Sequence, residues 1–541
     1  MIKNLLVLST VWIVPGLNAI KTKTEIIRCA TLVLLMLVST QIIFGQNFSA
    51  RKDVRTKYGP VSGKQVSAAG VYAFKGIPFA APPVGNLRWR EPMPPAPWTE
   101  IKMADQFGPS PMQAKPTPFM VYTREFLIPE NPISEDCLYL NIWTSAKTST
   151  EKKPVFVWIY GGGFTSGGSA CDIYDGTAMA EKGVVFVSFN YRVGIFGFFA
   201  HPELTKESPH RASGNYGIMD QIAALKWVAE NISAFGGDPS NVTIAGQSAG
   251  SFSVCTLVAS PLAKGLFHRA IAESGSSVIA DPKVKPTDLV MAEAEGKKIT
   301  DGLNVFTLAD MRNTSAETLM KARIAGIRPI ADGYVLPAPV AELFKKGNVA
   351  DVPLLTGWNA DEGLVFAYKS RDAYVTEATA KYGTDVIEYL KYFPAETEEQ
   401  AMASQVAISR DMIFALPNYK WASFQSARKN PAYVYHFSRK PPASPDYVKY
   451  GAFHTAEVPY ALGNLKYFNR DLQDIDRKIS ADMLSYWVNF AKIGNPNGEG
   501  LPKWPVFTPS GTEVMIFSDK SAAGKMPGKA GLDFLYSFMM K

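Results

Sequence analysis

Ser248 is bracketed by glycine two residues before and two residues after, in "TIAGQSAGSFS" at 243–253. A β-branched run leads into the first glycine, and a helix-like stretch follows the second. Strand, G-x-S-x-G, helix is the pattern of a nucleophile elbow, a turn so tight that side chains at Gly246 and Gly250 would collide with each other or with the helix. The serine Oγ is then exposed at a helix N-terminus, where the partial positive charge favours a developing anion. A hydroxyl is a poor nucleophile until a base takes its proton. The stretch therefore predicts chemistry only if a histidine and an acid can be found to act with it.

Five histidines are available: His201, His210, His268, His436 and His454. With an elbow of this kind the chain order is nucleophile, acid, histidine. His268 follows Ser248 too closely to leave room for a strand that bears the acid. His436 lies inside the strand-like "YVYHF", which predicts a half-buried structural role. His454 lies in "YGAFHTAEVPYAL" (450–462), a loop opening toward a helix, and is the predicted base. The acid is expected just past a strand, to hold the imidazole tautomer and stabilise its protonated form. "VPLLTGWNADEG" (352–363) offers both Asp361 and Glu362, and spacing does not choose between them. An oxyanion needs backbone N–H donors at the crevice. "VWIYGGGFTSGG" (157–168) supplies glycines directly after a strand, without the GK[ST] of a P-loop or the GxGxxG of a dinucleotide site. Gly162 and Gly163, with the amide of Ala249, are the expected donors.

The elements that must position these residues alternate along the chain. "KPVFVWIY" (153–160), "GVVFVSFNY" (183–191), "NVTIAG" (241–246), "VPLLTGW" (352–358) and "PAYVYHF" (431–437) read as buried strands. Between them, 217–232 and 248–260 have apolar spacing suited to helices. Near-continuous apolar strands alternating with helices predict a mostly parallel sheet covered on both faces, hence one large α/β unit over 47–541. Two helical stretches, at about 283–330 and 370–430, read as insertions that would cap a ligand crevice at one edge of the sheet.

The formal charge of +7 is spread along the 541 residues with no basic block, which makes nucleic acid a poor partner. Residues 1–46 are of a different kind. Apolar residues at 4–15 and 30–44 flank a basic stretch from Lys21 to Arg28. This predicts an export leader cut near Gly45-Gln46. The second apolar stretch falls short of the about 20 residues a bilayer span needs, although an uncut leader would act as an anchor. Once the leader is removed, Cys137, Cys171 and Cys255 remain. They match no metal spacing and are expected to be buried free thiols.

Taken together these residues resemble the type-B carboxylesterase and cholinesterase family of α/β-hydrolases, most closely its microbial carboxylesterases. Further motifs carry the likeness: "GIPFAAPPVGNLRW" (76–89), "SEDCLYLNIW" (134–143), "FNYRVGIFGF" (189–198), "ADGYVLPAP" (331–339) and "GNPNGEGLPKWPVF" (494–507). The resemblance implies Ser248 as nucleophile, Glu362 as acid and His454 as base, with Gly162, Gly163 and Ala249 as oxyanion donors. It also implies supporting positions at Gln247 and Glu457. It implies ester hydrolysis through an acyl-enzyme, a small-molecule ester as substrate, and neither metal nor cofactor. Transfer of the acyl group to an alcohol, or a binding role as in adhesion members of this fold, are the alternatives. Three departures narrow the likeness. The region 107–113 holds no cysteine to pair with Cys137, unlike animal members. Gln247 replaces the glutamate of cholinesterases. No tryptophan lies in 114–133 to bind choline. Phe164 and Phe366 are expected near an apolar pocket.

Overall fold

The computed structural model describes residues 52–130, 132–322, 326–510 and 512–541. The expected leader at 1–46 lies outside the described residues. Eleven strands form the main sheet: β1 (Lys64–Gln65), β2 (Tyr72–Pro78), β3 (Tyr139–Thr144), β4 (Lys153–Ile159), β5 (Val185–Phe189), β6 (Gly237–Gln247), β7 (Arg269–Glu273), β8 (Leu354–Asn359), β9 (Ala432–Phe437), β10 (Glu513–Phe517) and β11 (Ala522–Lys525). Their spatial order is β11-β10-β9-β8-β7-β6-β4-β5-β3-β2-β1. The seven strands from β5 to β10 run parallel, and the outer strands at each end are antiparallel.

Burial explains why the central strands have no polar alternation. Every residue of β5, β8 and β9 is buried, as are the last five of β4, because helices cover the sheet. Among these, α1 (Tyr216–Asn231) and α2 (Ala249–Ala259) match the expected helical stretches within two residues. Helix α2 packs on β6 and β7. Two further helices, α3 (Leu416–Ser426) and α4 (Asp474–Ile493), pack on β8 and β9 and on β4 and β6 respectively.

The strand order places the site. From β4 the chain steps outward to β5, then returns to the other side of β4 as β6 and continues to β10. The order reverses between β4 and β6, and in such sheets ligands bind outside the carboxyl ends of the strands at the reversal. Ile159 at the end of β4 pairs with Gly246 near the end of β6, so the "GGGF" loop and the Ser248 turn leave the sheet side by side.

Both stretches expected as insertions are helical. The first holds Leu289–Gly302, Leu308–Asn313 and Ala316–Lys321. Arg88 ties it to the body: its guanidinium pairs with Glu135 and donates to the carbonyls of Arg312 and Thr314. The second holds Arg371–Tyr382, Val386–Tyr392 and Glu398–Arg410, then a π-turn at Asp411–Ala415. It ends in α3, which belongs to the layer on the sheet. The buried Asn418 of α3 donates to the carbonyl of Gly357 in β8 at 3.0 Å.

Candidate active site

At the end of β6 the backbone of Ser248 takes φ 57° and ψ −124°, a sparsely populated conformation that the surroundings must hold. Its N–H donates to the Glu273 carbonyl at 2.9 Å, and its own carbonyl accepts from Phe252 in α2. The flanking glycines are required by contact. A Cβ on Gly246 would lie 2.6 Å from the Gly250 backbone, and one on Gly250 would strike the Ile159 carbonyl. The first clash is the one expected from the turn. The second is with strand β4, because the start of α2 crosses directly over it.

Asp361 and Glu362 follow β8, and the structure separates their partners. Glu362 is buried, and its Oε2 lies 2.8 Å from Nδ1 of His454. Its Oε1 accepts from the Asn359 amide at 2.8 Å. With both oxygens occupied the carboxylate is held in place, and Nδ1 carries the proton while Nε2 keeps its lone pair. Asp361 instead accepts from the Ala452 amide at 2.8 Å and so pins the loop that delivers His454. Tyr122 OH donates to the His454 carbonyl at 2.9 Å. Phe414, carried by the π-turn, stacks on the imidazole with centroids 4.5 Å apart and planes 18° apart. π-turns of this kind recur at functional sites.

Gln247 completes the seat of the ring. Its Nε2 lies 3.3 Å from both imidazole nitrogens, and its Oε1 accepts from Thr455 Oγ1 at 3.3 Å. The His454 side chain makes no hydrogen bond to the Ser248 hydroxyl, a separation common in unliganded sites. His436 lies apart, buried in β9 against Trp358, and burial pushes its pKa down to about 3.

The glycine loop closes the other side. A Cβ on Gly161 would lie 2.8 Å from the Gln247 carbonyl and 3.0 Å from the Ser248 Cβ. Bare backbone is what lets this loop lie against the serine. Gly162 and Gly163 have φ of 117° and 61°, conformations that favour glycine. The amides of Gly162, Gly163 and Ala249 donate to no acceptor among the described residues. The loop is anchored just before them. Tyr160 and Tyr191 stack at 4.4 Å, and each hydroxyl donates to the other's carbonyl. Of the two phenylalanines expected near a pocket, Phe164 is buried beside the loop, whereas Phe366 is 82% exposed.

Glu457 is fully buried and accepts from the Asn359 side chain. Another buried glutamate, Glu273 at the end of β7, escapes sequence reasoning because a carboxylate at a strand end reads as an ordinary solvated charge. Asn359, Tyr122 and Phe414 escape it too, since their contacts with the histidine loop come from remote segments. Cys137, Cys171 and Cys255 are buried free thiols. Among the described residues no group of three or more His, Cys, Asp or Glu could hold a metal ion, and no helix is long and apolar enough to cross a membrane.

Comparisons with known proteins agree along the chain. The carboxylesterase family model matches residues 50–534. The chain is 35% identical over 508 residues to the fumonisin B1 esterase of Sphingopyxis macrogoltabida, covering 91% of each protein. It is 36% identical over 490 residues to the para-nitrobenzyl esterase of Bacillus subtilis, covering 86% of this chain and 95% of that one. A solved thermophilic PNB esterase superposes with a TM-score of 0.76 at 33% identity, over 90% of this chain and 99% of that one. With this fold and this extent of likeness, the chain belongs to the carboxylesterase family of α/β-hydrolases and is a carboxylic ester hydrolase.

Proposed function

We propose that ester hydrolysis here proceeds through an acyl-enzyme on Ser248. The observation that carries this reading is the 2.8 Å contact between Glu362 and His454, two segments 92 residues apart that converge beside a serine held at positive φ. His454 Nε2 takes the Ser248 proton as Oγ attacks the ester carbonyl. The oxyanion that forms is met by the amides of Gly162, Gly163 and Ala249, which have no acceptor among the described residues. The Glu362 carboxylate stabilises the imidazolium. His454 then protonates the leaving alcohol. Water enters, gives its proton to His454, and attacks the acyl carbon, which releases the acid and restores Ser248. Ser248→Ala is expected to lower p-nitrophenyl acetate turnover by about 10⁴-fold or more. Full turnover by the folded variant would refute the assignment.

The substrate is proposed to be a small ester with an apolar portion rather than a choline ester. Support comes from the neutral Gln247 beside the imidazole and from exposed apolar side chains close in sequence to site residues. Phe119 and Met120 precede Tyr122, and Leu364 and Phe366 follow Glu362. A panel of p-nitrophenyl esters of rising acyl length, run against a choline ester, tests this; a preference for the choline ester would contradict it. Residues 1–46 are proposed to direct export. Protein isolated from its host is expected to begin near Gln46, and a chain that still begins at Met1 would be retained rather than released.

A further inference from the structure

Next to the Ser248 turn and the His454 loop, two carboxyl groups that the hydrolysis scheme does not use are buried in the protein interior. Glu273 ends β7, in register with Gln247, and its carbonyl holds the Ser248 amide. Glu457 lies three residues after His454. Both are fully buried. Glu273 Oε1 accepts from Trp487 Nε1 of α4 at 2.7 Å, but its Oε2 has no partner among the described residues. Glu457 Oε2 accepts from Asn359, but its Oε1 has no partner among the described residues.

The surroundings do not favour a charge on either group. No lysine, arginine or histidine forms an ion pair with Glu273 or Glu457 among the described residues. The titratable groups that face them are acidic or neutral: each other, Glu362, and the Tyr435 hydroxyl from β9. Tyr122 and Tyr174 also lie close enough to Glu457 to feel its charge. The buried Tyr435 hydroxyl and the Asn359 Oδ1 are also unpartnered. An ionised carboxylate offers only acceptors, so two of them here would leave two charges and several lone pairs unmet. A proton on either glutamate converts one orphan acceptor into a donor.

We propose that Glu273 and Glu457, buried behind the catalytic site, carry at least one proton between them at neutral pH, so that Glu362 is the dominant negative charge facing His454. Desolvation acts in the same direction, pushing Glu273 up to about 8 against the opposing Trp487 hydrogen bond, and pushing Glu457 well above the usual carboxylate range, where Glu273 and Glu362 raise it further. The two titrate as a unit rather than separately. In this arrangement they are positioning residues. Their neutrality keeps extra negative charge away from the imidazolium, and ionisation at alkaline pH adds it. The assignment rests on His454 being the base.

Infrared difference spectra in D₂O and pH–rate profiles test the pair together. In wild-type protein at pH 7, a protonated-carboxyl C=O band is expected that weakens on raising the pH and is lost or reduced in Glu273→Gln and in Glu457→Gln. For p-nitrophenyl acetate hydrolysis, the alkaline inflection in kcat/KM is expected to disappear in Glu273→Gln while the acid limb stays where it is in wild type. An acid limb that moves down in Glu273→Gln would mean that an ionised carboxylate had been removed, and would overturn the proposal. So would a wild-type spectrum at pH 7 with no protonated-carboxyl band sensitive to either substitution. The infrared readout needs no turnover, so it stands even if Ser248→Ala were to leave activity intact.

Discussion

Asp361 and Glu362 are adjacent carboxylates whose side chains leave the chain in different directions, one to the Ala452 amide and one to His454. Spacing alone cannot separate them, because the choice depends on how three residues turn after β8. The resemblance to carboxylesterases implies Glu362, and Glu362 is the one whose carboxylate lies against the His454 imidazole. Gln247 is legible as an unusual residue beside the nucleophile. Its seat against a histidine 207 residues away is not, since that follows only from the fold. An amide here carries no charge, so it leaves the imidazolium to Glu362. Gln247→Glu adds a negative group at 3.3 Å from the ring. A like change near an imidazole favours its protonated form by about one pH unit. Activity that needs the neutral ring is then lost at a higher pH as conditions are acidified. The acid limb of kcat/KM is expected to move up by about one unit, and an unmoved or lowered limb would contradict the geometry.

The strands and helices that carry the site are the part most readable from sequence. Long apolar runs mark β4, β5, β8 and β9 because helices cover both faces and remove any alternation. The elbow is equally legible, since glycine is the one residue the crossing of α2 over β4 accepts. The edges are less so. The helix at 416–426 reads as part of an insertion from its composition, yet its Asn418 is buried against β8. The anchorage of the first insertion is invisible in sequence, because Arg88 reaches its carbonyl partners across more than 200 residues. Removing that guanidinium frees the carbonyls of Arg312 and Thr314 while leaving the sheet untouched. Arg88→Ala is expected to raise the rate of limited proteolysis within 283–330 several-fold relative to the rest of the chain, as local opening becomes easier. An unchanged cleavage pattern would mean that the segment is held by its apolar contacts instead.

At the scale of the whole molecule, the described residues form one compact unit whose interior holds buried carboxyls as well as apolar side chains. That composition has a consequence for stability. Burial pushes the Glu273 carboxyl up from the ordinary 4.5 of an exposed glutamate to about 8. Between those values the native state binds more protons than the unfolded state, so stability falls as pH rises through the window. Glu457 acts in the same direction. Glu273→Gln removes the larger part of Glu273's contribution. Its Tm is expected to gain on wild type as pH is raised from about 4.5 to about 8 and to gain no further above that; a parallel pair of Tm curves would contradict it. The overall reading of the molecule, however, depends on one hydroxyl in one strained turn. The most direct measurement is covalent labelling of the folded chain by a fluorophosphonate, with peptide mapping and residual esterase activity followed together. The expected result is a single adduct on Ser248, loss of activity in proportion to labelling, and strongly slowed labelling in His454→Ala. An adduct at another residue, or esterase activity that survives complete labelling of Ser248, would contradict the central claim.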